Sequence, residues 1–285
     1  MAVEKGFGAV RTERLYANPI VGRTGLANML FAWARAEVFC RDHGALLLAP
    51  QWVNVLRVGP WLRRERDKRY YLANFSNAGM IQGLRRFAVL KAFRHLDEAE
   101  YSRDAQTGEK GVRVVDFRGM ERFFEPFLTA QPYVKERLFA IASAPILEQL
   151  EQLPEEPFIG VHIRRGDFTT GGIATPDDWY VRAVAQALRA VGGDRRSLPI
   201  RVFSDADPES LRFLSEAFPR VVLTPKAPAL LDLLQLSRCA ALVGTSRSSF
   251  SMWAAFLGQM TSYWHPVEMP PALAVTPEAS VIRVD

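Results

Sequence analysis

Between residues 158 and 266 the chain alternates between short apolar runs and amphipathic helical stretches, and this restricts the fold more than any other feature of the sequence. The runs are "FIGVHI" (158–163), "IRVFSD" (200–205), "RVVLTP" (220–225), "AALVGTS" (240–246) and "TSYWHP" (261–266). They are too short for helices and read as strands, "TSYWHP" as the last of them. Between them lie "TPDDWYVRAVAQALRAVGG", "DPESLRFLSEAF", "ALLDLLQLSRC" and "SFSMWAAFLG". Strands joined through helices run parallel, so the pattern predicts a doubly wound α/β sheet. Boundary chemistry agrees. Thr175 and Asp207 stand as N-caps before Pro176 and Pro208, and Asp177 and Asp178 occupy a first turn. Gly192, Gly193 and Gly258 stand where helices should stop.

The first half is less regular. In "LANMLFAWARAEVFCRDH" (26–43), Leu26, Leu30 and Trp33, broadened by Met29, Ala36 and Phe39, make a helical stripe that Gly44 ends. Residues before this helix read as loop, and "ALLLAP" (45–50) as a buried strand. Residues 51–125 show no clean period, and the charge run Arg63–Arg69 reads as a solvated face. Residues 133–153 look helical except where Pro145 interrupts. The polar, proline-rich "PEEP" (154–157) is the expected boundary between domains 1–153 and 154–285, and 285 residues are enough for both.

Ligands of open α/β sheets bind beyond the carboxyl ends of the strands. Three polar clusters fall there: "HIRRGD", "FSDAD" and "GTSRSSFS". In the first, strand alternation puts His162 and Arg164 on one face, and Ile163 and Arg165 on the other. A guanidinium suits a phosphate because it binds bidentately and keeps its charge. Arg164 is therefore the expected ligand group, with Arg165 and Asp167 as its scaffold. In the second cluster Asp207 is a cap, which leaves Asp205 alone. One carboxylate makes a poor divalent-cation site but can accept from a base edge or a ribose. In the third, Ser248 and Ser249 open a helix whose free amides attract phosphate. Phe250 and Trp253 read as core, with Phe250 near enough to the ligand to serve both purposes. "GRTGLAN" (22–28) also opens a helix but lacks a dinucleotide fingerprint.

Cys40 and Cys239 sit in apolar stretches and fit buried thiols in a reducing compartment. Neither they nor the four histidines have metal-ligand spacing. The net charge of +5 permits an anionic ligand, but no basic stripe carries interleaved aromatics, so nucleic acid is not expected. No apolar run is long enough for a signal peptide or a membrane span. The expectation is a cytoplasmic protein, with peripheral contact with the inner membrane left open.

The ordered set "VHIRRGD", "WYVRAV", "VFSDAD" and "SSFSMWAAFLG", preceded by "GLANMLFAWA" (25–34), resembles the α1,2-fucosyltransferases. The H-x-R-R-x-D element is shared with α1,6- and protein O-fucosyltransferases, so it marks the wider superfamily. Ala27, Met29, Ala32 and Met252 depart from the family pattern. The resemblance implies a GT-B-like fold of two facing Rossmann-like domains with mostly parallel sheets. It also implies inverting, metal-independent transfer of L-fucose from GDP-fucose to a glycan hydroxyl, without a cofactor. The acceptor would be a glycan or a lipid-linked oligosaccharide. Arg164 would contact the donor phosphates and His162 line the donor site. Asp205 would read the guanine or ribose, Ser248, Ser249 and Phe250 would form the nucleotide loop, and Gly25 and Asn28 would approach from the first helix. Asp167, Asp177 and Asp178 are the carboxylates near enough to serve as a base. The competing readings are another nucleotide-sugar donor, or a nucleotide- or glycan-binding protein without catalysis.

Overall fold

The computed structural model describes residues 14–22, 24–52, 70–107, 111–166, 174–191, 198–266 and 281–284. Its first half runs β1 (Arg14–Ile20), α1 (Leu26–His43), β2 (Leu46–Leu47), α2 (Gly83–Ala92), β3 (Arg94–Asp97), α3 (Glu98–Thr107) and β4 (Val112–Arg118). These strands form one parallel sheet in the order β2-β1-β4-β3. A 3-10 segment (Glu125–Ala130), α4 (Gln131–Ile141) and α5 (Ala144–Glu151) follow. The second half runs β5 (Ile159–Ile163), α6 (Asp177–Val191), β6 (Ile200–Ser204), α7 (Arg212–Ala217), β7 (Val221–Leu223), α8 (Ala229–Leu236), β8 (Ala241–Val243), α9 (Ser249–Gly258), β9 (Thr261–Trp264) and β10 (Val281–Arg283). Its sheet is also parallel, in the order β10-β9-β8-β5-β6-β7.

In the second sheet β5 is the switch strand: later strands add first on its β6 side and then on its β8 side. The connecting helices therefore diverge and leave a crevice above the carboxyl ends of β5 and β8, where open sheets bind ligands. Helices cover both faces. Ile159, Val161 and Ile163 pack with Trp179, Tyr180 and Ala183 of α6. Gly160 points the other way, where an added Cβ would lie 2.7 Å from Leu236 and 2.9 Å from Cys239. That approach brings α8 hard against β5.

One core cluster runs through both halves. Phe31 of α1 lies 4.8 Å from Phe124 and 5.2 Å from Trp253 of α9, ring centre to ring centre, and Phe124 stacks on Phe256 at 4.7 Å. Interlocked aromatics of this kind hold the two sheets in a fixed relation.

Several expectations change. Residues 14–20 form a strand, β1, and not a loop. Its seven residues pair along β4, although Asn18 and Pro19 break its apolar run. The strand expected over 45–50 is reduced to Leu46–Leu47 plus an isolated bridge at Leu48. The Thr175 hydroxyl has no hydrogen-bond partner among the described residues and caps none of them, and α6 starts at Asp177. Asp207 is an N-cap by position, ahead of a 3-10 turn, but makes no side-chain cap bond. Gly258 is the last helical residue of α9, and Gln259 takes the left-handed turn at φ 58°. A Cβ at Gly258 would meet the Ser237 carbonyl oxygen at 2.3 Å, so close packing and not a turn requires the glycine there. Gly44 does end α1 in the left-handed conformation, at φ 62°. Arg63–Arg69, Asp167, Gly192 and Gly193 lie outside the described residues.

Candidate active site

β5 ends at Ile163, and the next two residues diverge as the strand alternation requires. His162, facing α9, is 7% exposed. Its Nδ1 lies 2.7 Å from Ser251 Oγ, and its ring stacks on Phe250 at 4.9 Å. Ser251 Oγ also accepts the Thr245 N–H at 3.1 Å. Ser251 Oγ thus ties the His162 ring to the backbone at the end of β8. Burial, helped by the positive charge of Arg164, pushes the His162 pKa down to about 3. A ring held that low is neutral throughout the physiological range.

Thr245, just past β8, is fully buried and is the hub of this corner. Its hydroxyl donates to the His162 carbonyl at 2.7 Å and accepts the Arg164 N–H at 2.9 Å. It also shares a 2.7 Å bond with the Tyr180 hydroxyl. One side chain thus stitches β5, β8 and α6 together across the crevice.

The two arginines have different surroundings. Arg165 donates to the Thr175 carbonyl at 2.8 Å, pairs with Asp177 and lies over the Tyr180 ring at 5.8 Å. It is locked against α6. Arg164 keeps 31% of its side-chain surface and pairs with Asp205 at 3.1 Å. The other Asp205 oxygen accepts the Arg165 N–H at 2.8 Å. Asp205 therefore braces the strand end and aims Arg164, and each of its oxygens keeps lone-pair capacity for a ribose or base. Gly166 is needed beside it, since an added Cβ would come within 2.5 Å of Asp205 Oδ2.

The chain turns into α9 at Arg247, which is exposed and left-handed at φ 59°. Such a conformation is uncommon for a residue with a Cβ. Ser248 holds the N-cap position without a side-chain cap bond. Ser249 Oγ instead donates to Asn28 Oδ1 at 2.5 Å. Asn28 lies in the first turn of α1, whose N-cap is Gly25. The amino ends of α1 and α9 therefore meet, with the carboxyl rims of both sheets behind them. Two helix dipoles and the Arg164 guanidinium make this region attractive to a polyanion. Gly25 has ordinary extended torsions, and no atom lies within 4 Å of where its Cβ would be, so neither strain nor crowding explains it.

The structure thus brings His162, Arg164, Asp205, Ser248, Ser249, Phe250, Gly25 and Asn28 together where the carboxyl ends of β5 and β6 meet the amino ends of α1 and α9. Trp253 is fully buried and belongs to the core. Two contributors were not singled out from sequence. Thr245 and Ser251 are polar positions at inward-facing places among apolar neighbours, and that conflict with the local pattern was their signal. Of the base candidates, Asp177 is paired with Arg165 and Asp178 with Arg182. The Arg182 hydrogen bond also holds the Asp178 pKa below the usual carboxylate value. Asp178 is therefore a weakened proton acceptor as it stands.

Two parallel α/β sheets, locked by a shared aromatic core, define a GT-B-like architecture. The chain belongs to glycosyl transferase family 11: the family model matches residues 119–270, more than half of the sequence. No curated protein matches it. Among solved structures it resembles the NodZ alpha-1,6-fucosyltransferase co-crystallized with GDP, at 18% identity over 86% of this chain and 93% of that one, with a TM-score of 0.56. A crystal structure of NodZ from Bradyrhizobium matches with the same score and identity, over 86% of this chain and 94% of that one. POFUT1 in complex with GDP-fucose matches at 12% identity over 90% of this chain and 98% of that one, with a TM-score of 0.51.

Proposed function

We propose that the chain is an inverting, metal-independent fucosyltransferase that moves L-fucose from GDP-fucose to a glycan hydroxyl in an α1,2 linkage. The observation that carries this reading is the convergence of Arg164, the neutral His162 and the amino end of α9 on the switch-point crevice of a family 11 chain. The sequence motifs shared with α1,2-fucosyltransferases support the linkage, and the GDP and GDP-fucose carried by the similar structures support the donor.

The acceptor oxygen attacks C1 of fucose from the face opposite the diphosphate, and the bond from C1 to the β-phosphate oxygen breaks. The sugar takes the inverted configuration, GDP leaves with the bonding pair, and the acceptor proton passes to solvent or to a nearby carboxylate. Negative charge grows on the diphosphate as it departs. Arg164 and the free amides of α9 meet that charge in place of a metal ion, as preorganised electrostatic stabilisation. His162 fixes the wall of the site and Asp205 braces Arg164. Residues 154–285 hold the donor, and residues 1–153 present the acceptor, a glycan or a lipid-linked oligosaccharide.

A panel of nucleotides tests the donor. A ligand that binds only the folded state raises the thermal midpoint. GDP and GDP-fucose should raise it, and UDP should not. Transfer from GDP-fucose to a glycan should survive EDTA, and the product should carry an α1,2 bond. Stabilisation by UDP alone, or GDP-fucose left intact in the presence of a panel of acceptors, would overturn the reading.

A further inference from the structure

We propose that the outer face of α2 is a docking surface for an anionic lipid bilayer. Only Val89 of this ten-residue helix is buried. Leu84 is 88% exposed and Phe87 61% exposed, and Ala88 and Lys91 are exposed with them. These positions fall at i, i+3, i+4 and i+7, the spacing by which a surface helix ordinarily faces a core. Here the stripe faces outward, while Val89 and Leu90 pack on the first sheet.

The charge around the stripe indicates what covers it. No aspartate or glutamate occurs from Tyr70 to Leu96, a stretch that holds Arg85, Arg86, Lys91 and Arg94. Arg86 turns inward to Asn18 Oδ1 at 3.2 Å, and Arg94 pairs with Asp104 at 3.5 Å. Arg85 and Lys91 are exposed and pair with no acid among the described residues. Lys91 Nζ lies 5.9 Å from the Phe87 ring centre, so its cation sits beside the apolar stripe. An apolar stripe flanked by unopposed cations matches a helix lying in the headgroup region of an acidic membrane. A second copy of the chain would bring the same cations face to face, which disfavours a symmetric dimer through this face. The surface does not depend on which sugar the cleft transfers.

The test is flotation of the full chain with vesicles of phosphatidylcholine alone and of phosphatidylcholine mixed with phosphatidylglycerol. Binding should require the anionic lipid and weaken with salt. Leu84→Ser with Phe87→Ser should lower vesicle affinity by roughly 100-fold, because both side chains lose their burial in the headgroup region. Arg85→Glu with Lys91→Glu should lower it by at least about 20-fold, at about fivefold for each cation. Both variants should keep the wild-type thermal midpoint, since the altered side chains are solvent-exposed. Failure of the wild type to float with anionic vesicles would overturn the proposal, as would equal binding to neutral ones. So would either variant floating like the wild type, or a dimer that sediments as such and dissociates when Leu84 and Phe87 are replaced.

Discussion

Replacing Arg164 with alanine separates chemistry from architecture at the cleft. The substitution removes the guanidinium assigned to the departing diphosphate. It leaves Asp205 with the Arg165 N–H, and the lost pair is part-solvated, with side chains 31% and 22% exposed. Loss of that pair should lower stability by about 1 kcal/mol at most. Loss of one preorganised charge-stabilising donor costs about 10²–10³-fold in kcat, which corresponds to about 2.7–4 kcal/mol. Arg164→Lys should fall between alanine and wild type, because an ammonium keeps the charge but not the bidentate geometry. Arg165→Ala is the matched control. It removes a bond to the Thr175 carbonyl, the Asp177 pair and the contact with Tyr180. That should cost about 1–3 kcal/mol of stability, with kcat per folded molecule within a few-fold of wild type. The assay is the initial rate of GDP release from GDP-fucose with acceptor present, read beside urea unfolding of each variant. Arg164→Ala with near-wild-type kcat would refute the assignment, and so would Arg165→Ala that keeps full stability while losing turnover.

Three further outcomes follow from the same geometry. Thr245→Val leaves the His162 carbonyl, the Arg164 N–H and the Tyr180 hydroxyl short of a partner in a buried corner; urea unfolding should show a loss of about 3 kcal/mol or more. His162 has a folded pKa of about 3 against 6.5 when unfolded, so the unfolded chain binds the extra proton. Its contribution to stability is complete above pH 6.5 and is lost as pH falls toward 3, at up to about 1.4 kcal/mol per unit; unfolding midpoints for wild type and His162→Gln should diverge over that window. Asp232 behaves in the opposite sense, since burial raises its pKa to about 7 and one of its oxygens has no partner among the described residues. Its stabilising contribution is lost as pH rises from 3.8 to 7, so Asp232→Asn should be more stable than wild type at pH 8 by a few kcal/mol and nearly equal to it at pH 4, read by thermal unfolding in the two buffers.

The second half of the fold was legible because its signals are local. Strand lengths, helix stripes and the prolines at Pro176 and Pro208 each lie within a few residues of what they specify. The separation of Arg164 from Arg165 followed from two-residue periodicity alone, and the observed contacts of the two side chains agree with it. The first half was less legible. β1 carries Asn18 and Pro19 inside its run, and a strand of that composition is fixed by pairing with β4, almost a hundred residues away. Asn18 is buried there with both ends of its amide satisfied, since Asp116 accepts from its Nδ2 at 2.7 Å and Arg86 donates to its Oδ1 at 3.2 Å.

The amino-acid sequence by itself determined the alternation, the parallel class of the second sheet and the polar residues at its strand ends. The tertiary structure alone decided which of those residues meet. Thr245 joins His162 and Arg164 across more than eighty residues, and Ser249 reaches Asn28 across 221. Periodicity reports the face on which a side chain lies. The partner it finds on that face depends on the order in which the strands assemble and on how the aromatic core sets one sheet against the other.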